Sequence, residues 1–215
     1  MALNKHQVSY VHKNSFETLN ELNEETKNVW FVFHGMGYLS RYFLKHFKNL
    51  NPKENFIICP QAPSKYYLKD DFKHVGASWL TKEDTTQETE NLLSYLDAVY
   101  DSIKMPSNIN LILFGFSQGV SIAMRWMIFK QINCSKLVLY AGGIPNEIDT
   151  KQVEFIDAKK TRITFIYGNT DKYLNETRLK FEREKIELLF GENAEIINFE
   201  GGHEIRPELL KNLLN

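Results

Sequence analysis

Apolar residues along this chain follow two rhythms. Six short runs are apolar or β-branched at nearly every position: Asn28–Gly35, Asn55–Pro60, Asn108–Phe116, Ser135–Gly143, Arg162–Gly168 and Ala194–Gly202. Apolarity without alternation is what a strand covered on both faces requires, because neither face then meets water. Between the runs the period lengthens to three or four, in Leu39–Leu50, Thr85–Lys104, Gln118–Lys130, Asn175–Phe190 and Arg206–Asn215. That is the spacing of a helix with one apolar face. In Thr85–Lys104 the stripe is Leu92, Leu93, Leu96, Val99, Tyr100 and Ile103, with Thr85 or Thr86 placed as N-cap and Glu88 or Glu90 following.

Strands alternating with helices predict an α/β fold on a mostly parallel sheet of six to seven strands flanked by helices. The seventh strand is expected as an antiparallel edge from the polar N-terminal segment around Val8–Val11 (VSYV). No repeat, low-complexity tract or linker divides the chain, and 215 residues suit one core, so a single domain is expected over 1–215. Gln61–Asp84 and Ile144–Lys160 are the least regular stretches. In an open parallel sheet, sites form from the loops at the carboxyl ends of the strands, so residues just after each run carry the most weight.

Composition narrows the picture by exclusion. Lys plus Arg number 26 and Asp plus Glu 27, a net charge of -1, which gives no field to draw nucleic acid or anionic lipid. No stretch reaches the 18 or so apolar residues of a membrane helix, and the N-terminus lacks a signal-peptide core, so a cytoplasmic protein without integral membrane association is expected. Cys59 and Cys134 lie far apart and lack metal-type spacing, so both read as buried free thiols.

Candidate chemistry centres on GFSQG, Gly115–Gly119, which ends the third run and opens a helical stretch. A Gly-X-Ser-X-Gly motif between strand and helix puts the serine on a sharp turn with its hydroxyl above the sheet; the bland alternative is a serine N-cap between two glycines. A serine hydroxyl needs a base to act as nucleophile. Of six histidines, His203 stands directly after the last run, in GGHEI, whereas His6, His12 and His46 sit in polar or amphipathic surroundings suited to structural roles. For the acid that orients it, Asp171 follows the fifth run through the tight turn YGNTD; Asp149 lies further from its strand and Glu200 lies in or near one. The order Ser117, Asp171, His203 is the one expected of α/β hydrolases.

An oxyanion also needs donors. The N–H of Gln118 follows the nucleophile, and its side chain is expected to matter little. The second donor is placed at Met36 N–H in FHGMGY, where His34 is read as shaping the loop rather than as a second base.

With FHGMG, CPQAP (Cys59–Pro63), ASWL (Ala77–Leu80), GFSQG, YGNTD and GGHEI in order across residues 29 to 205, the chain resembles the α/β hydrolase superfamily. Within it the likeness is to the small phospholipase/carboxylesterase group that includes acyl-protein thioesterases. The resemblance implies a serine hydrolase with no metal or organic cofactor, in which Ser117 attacks an ester or thioester and His203 shuttles the proton. The family's oxyanion amides fall on Met36 and Gln118. Its aromatic loop position falls on Trp79, placed either beside the acyl groove as a substrate contact or packed under the loop. SWLTKEDTTQE carries more charge than an acyl groove favours, which points away from protein depalmitoylation. Loops after the nucleophile leave no room for a lid domain, so an open site and short-chain esters are expected. The partner is then a small-molecule ester or thioester, with the chain a monomer or homodimer. A lactonase, peptidase or acyltransferase with the same triad, or a non-catalytic binding protein, is the alternative.

Overall fold

Seven strands form one sheet in the order β1-β3-β2-β6-β7-β8-β9, and a two-stranded hairpin, β4-β5, stands apart from it. The computed structural model describes residues 3–157 and 159–214. The strands are β1 Phe16–Leu19, β2 Asn28–Phe33, β3 Asn55–Pro60, β4 Ser64–Tyr67, β5 Val75–Ser78, β6 Asn110–Phe116, β7 Lys136–Tyr140, β8 Arg162–Gly168 and β9 Ala194–Phe199. From β3 to β9 every neighbouring pair in the large sheet is parallel, and only β1 runs antiparallel, on β3. The helices are α1 Ser40–Phe43, α2 Thr85–Asp101, α3 Gln118–Lys130, α4 Thr150–Val153, α5 Glu176–Phe190 and α6 Pro207–Asn212.

The unbroken apolarity of β2 follows from what covers it. Successive side chains of a strand point to opposite faces, and here both faces are aromatic. Trp30 meets Phe47 and Phe114 at 5.8 and 6.5 Å between ring centroids, on the side of the 3₁₀ turn Leu44–Phe47. Phe31 and Phe33 meet Trp126 of α3 at 4.4 and 5.8 Å. All of these rings are fully buried, and burying each stabilises the fold by about 2–3 kcal/mol. The same sandwich places β6, next to β2, at the centre of the molecule, so the turn that follows β6 opens in the middle of the sheet's carboxyl edge.

Four expectations from the sequence differ in detail. The edge strand is Phe16–Leu19, not VSYV: Phe16 and Leu19 pack against the core, whereas Val8, Tyr10 and Val11 are exposed and join no ladder. The helix expected over Leu39–Leu50 is divided between α1 and the 3₁₀ turn. Helix α2 begins at Thr85, but the cap position is Asp84, held at φ 47; its carbonyl accepts Glu88 N–H at 3.0 Å, while its carboxylate is taken by Lys5 and binds no N–H of the helix. Within Gln61–Asp84 lies the β4-β5 hairpin. The expected C-terminal helix is α6, and Asn215, its expected last residue, lies outside the described residues. Both cysteines are buried and free, and burial holds the Cys134 thiol up to about 12 and that of Cys59 well above its ordinary value. No helix of the described residues is long and apolar enough to cross a membrane.

Candidate active site

Ser117 stands between the end of β6 and the first residue of α3 with φ 55 and ψ -120, a conformation that costs a non-glycine residue about 1–3 kcal/mol. The surrounding structure holds it there. Its N–H donates to Tyr140 O at 2.8 Å and its carbonyl accepts from Val120 N at 3.0 Å. The glycines of the motif have steric reasons. A Cβ at Gly119 would collide with the Phe33 carbonyl, and one at Gly115 with the backbone of Gly119 and Val120. Strand β6, the turn and α3 therefore fold this tightly only with hydrogen in both places.

His203 reaches the serine from the far side of the sheet. After β9 the chain turns through Gly201, at φ 158, and this turn is tied to the loop after β8: Thr170 N–H donates to Gly201 O at 2.9 Å and Gly201 N–H to Asn169 Oδ1 at 3.1 Å. The two loops thus form one unit that carries both Asp171 and His203. His203 Nε2 lies 2.9 Å from Ser117 Oγ, and His203 Nδ1 lies 2.7 Å from Asp171 Oδ2. The Asp171 side chain is 0% exposed, and its other oxygen accepts the N–H of Tyr173 at 2.8 Å. A buried carboxylate facing Nδ1 fixes the proton there and leaves Nε2 free to accept one from the serine. The imidazole lies between Phe116 and Tyr173, whose ring centroids are 5.0 and 4.7 Å away.

The rival acids have other work. Asp149 caps α4, accepting Gln152 N–H at 3.1 Å in a reciprocal capping box. Glu200 meets Arg206 through its backbone carbonyl.

The loop after β2 lies on the opposite flank of Ser117. Met36 is 61% exposed and sits in a turn closed by Tyr38 N–H donating to Gly35 O at 3.2 Å. Gln118 is the first residue of α3, so its N–H has no carbonyl within the helix to receive it. His34 is fully buried. Its Nε2 accepts Ala62 N–H at 3.2 Å, so Nδ1 carries the hydrogen donated to Gly35 O at 2.8 Å. Burial lowers its pKa to about 4, which keeps it a neutral brace for the loop.

Two readings from the sequence need correction. Trp79 is 1% exposed, packed edge-on to Phe33 at 5.8 Å and with its indole N–H donated to His34 O at 2.7 Å. It lies under the loop and has no surface to offer a substrate. The charged residues that follow it, Lys82, Glu83 and Asp84, are exposed. The Gln118 side chain, expected to matter little, is one of the most connected polar groups near the site: it accepts Trp79 N–H at 2.9 Å and donates to Leu80 O at 2.8 Å and Ser78 Oγ at 3.1 Å. Its partners are mostly backbone atoms about forty positions away, which no local pattern announces. Two clefts of about 900 and 980 Å³ are present, one between residues 8–14 and α2, the other between α5 and the ends of β8 and β9 and lined in part by Asp171; Ser117 lines neither. Among the described residues no cluster of His, Cys, Asp and Glu is arranged to hold a metal ion.

Solved structures share this architecture. Acyl-protein thioesterase 2 from Zea mays superposes with a TM-score of 0.68 at 17% identity, covering 94% of this chain and 96% of that one. Esterase PE8 gives 0.67 at 21% identity over 94% and 98%. A phospholipase/carboxylesterase from Dyadobacter fermentans gives 0.66 at 18% over 96% and 99%. At these identities the likeness is one of fold. No curated protein sequence matches the chain. The model of the phospholipase/carboxylesterase family of α/β hydrolases matches residues 14–215, and the chain belongs to that family.

Proposed function

We propose that this α/β hydrolase cleaves small carboxylic esters or thioesters of short acyl chains through an acyl-enzyme, with Ser117 as nucleophile, His203 as general base and acid, and Asp171 as the group that orients it. The observation that carries the reading is the continuous line from Asp171 Oδ2 through His203 to Ser117 Oγ, with steps of 2.7 and 2.9 Å, ending on a strained strand-to-helix turn. As Oγ attacks the carbonyl carbon, its proton passes to His203 Nε2, and the carbonyl oxygen becomes an oxyanion received by the N–H groups of Met36 and Gln118. Collapse expels the alcohol or thiol, which takes the proton from Nε2 as it leaves. Water then attacks the acyl carbon as its proton passes to Nε2, and the bond to Oγ breaks, freeing the acid while Nε2 returns that proton to Ser117 Oγ. The machinery is complete within one domain and one chain, as monomer or homodimer, and works in the cytoplasm without a cofactor.

The test is hydrolysis of a graded series of p-nitrophenyl esters, together with labelling by a fluorophosphonate. Wild type is expected to hydrolyse the short esters fastest and to label at Ser117. Ser117→Ala is expected to lose labelling and about 10⁴ to 10⁶ in turnover; hydrolysis that survives in Ser117→Ala overturns the proposal.

A further inference from the structure

The segment Ala77–Leu80 is bonded on both sides to the two elements that supply the proposed oxyanion donors. Toward the loop after β2, Ala77 O accepts Gly37 N–H at 2.8 Å and Trp79 donates its indole N–H to His34 O at 2.7 Å. Toward α3, every bond runs to one side chain, the carboxamide of Gln118, which meets Ser78 Oγ, Trp79 N and Leu80 O. Met36 is itself exposed, so its amide is aimed by how His34, Gly35 and Gly37 are held: Gly35 O by Tyr38 N–H and His34 Nδ1, and His34 O and Gly37 N–H by the Ala77–Leu80 segment. The Ser78 hydroxyl also donates to Leu80 O at 3.0 Å, from within the segment itself, so Gln118 is what ties the segment to α3.

We infer that the Gln118 side chain is a positioning residue that couples the two oxyanion donors. Its own N–H is one donor, and its carboxamide, through Trp79 and Ala77, holds the Gly35–Gly37 turn that carries the other. The inference rests on the triad reading for its catalytic consequence, while the clamp itself stands on geometry alone. A donor misplaced by a fraction of an ångström loses most of its effect on a developing charge, because the benefit lies in being aimed before the reaction. The clamp therefore acts on turnover and transition-state binding, and little on ground-state affinity.

Gln118→Met keeps the length of the side chain and the backbone amide while removing all three bonds. Trp79→Phe keeps most of the packing and removes only the bond to His34 O, without touching position 118. In each variant kcat on p-nitrophenyl acetate is expected to fall by about 10- to 100-fold with KM within about 3-fold, and the inhibition constant of a trifluoromethyl ketone to rise by the same factor as kcat falls. The double variant is expected to be less impaired than the product of the two, because both cut one clamp. Amide hydrogen exchange tests the clamp without activity: in Gln118→Met, exchange at Gly37 N–H and at the Trp79 indole N–H is expected to quicken by about 10-fold or more while the β6 amides hold. Unchanged exchange overturns the clamp even if no ester is hydrolysed. Quickened exchange with kcat within 3-fold of wild type overturns its coupling to the oxyanion. A wild-type protein that neither hydrolyses esters nor labels overturns the triad reading instead, and the catalytic half of this inference with it.

Discussion

Tyr173 gives its backbone N–H to Asp171 Oδ1 at 2.8 Å, which leaves the carboxylate a single oxygen, Oδ2, for His203. An asparagine cannot serve both partners. If its oxygen faces His203, its NH₂ meets the Tyr173 N–H donor to donor; if its NH₂ faces His203, the imidazole must carry its proton on Nε2, where it cannot accept the serine's. Asp171→Asn is therefore expected to lower turnover by up to roughly 10⁴ with little change in melting temperature. Asp149→Asn, at a helix cap, is expected to keep full activity and cost about 1 kcal/mol at most. Steady-state kinetics with thermal melts on the pair decide the assignment of the acid.

His34 makes stability depend on pH with a definite sign. Unfolded, it protonates near 6.5; folded, burial holds it neutral down to about 4. Between those values the unfolded chain binds a proton that the native state refuses, so stability falls as pH drops through that window and levels off below it. Acting alone, the group accounts for a loss approaching about 3 kcal/mol. Urea midpoints for wild type and His34→Gln at pH 7.5 and 4.5 are expected to show the stability difference between them shrinking at the lower pH. A difference independent of pH contradicts the burial of a neutral imidazole.

Gly119→Ala is expected to damage fold and chemistry together. The added methyl group meets the Phe33 carbonyl, backbone on both sides, so β2 and α3 must part at the point where the two proposed oxyanion elements converge. A loss of roughly 2 kcal/mol or more in stability and of most of the fluorophosphonate labelling is expected. Full labelling in a variant of native melting temperature contradicts the close approach.

Glu182 is a buried carboxylate on α5, 0% exposed. It accepts Ile144 N–H at 2.9 Å and lies 2.5 Å from the Arg178 guanidinium, pinning the loop after β7. Glu182→Leu leaves that N–H without an acceptor and Arg178 without its partner, an expected cost of roughly 2–4 kcal/mol. Glu182→Gln keeps an acceptor for Ile144 and is expected to cost about half as much. Chemical denaturation of both variants reads the difference directly.

How much of this was legible in the sequence differs from element to element for physical reasons. Strands β2, β3, β6, β7 and β8 are legible because double-sided burial leaves few polar positions, Asn55 and Thr164 being buried exceptions, and the two loops after β8 and β9 are legible because Asp171 and His203 follow a strand through glycine. The β4-β5 hairpin is not: Ser64–Tyr67 is exposed at all four residues, so no apolar pattern marks it. Asp84 holds the cap position in a left-handed backbone with its carboxylate drawn to Lys5, a contact across 79 positions that no local pattern marks. Trp79 was legible as an aromatic residue in a loop near the site, and whether it faced substrate or core was set by a hydrogen bond to His34 O, across 45 positions.

The strand order also has a consequence for handedness. Because β2 and the β8–β9 pair stand on opposite sides of β6, Met36, the proposed oxyanion donor outside the nucleophile turn, and His203, the proposed acid for the departing atom, stand on opposite flanks of Ser117. A carbonyl carbon under attack here has four different substituents, and with two of them assigned to fixed flanks only one mirror-image form of the intermediate fits. The acyl group is left a single direction in which to project, so racemic esters branched beside the carbonyl should be resolved by this protein, one enantiomer consumed ahead of the other.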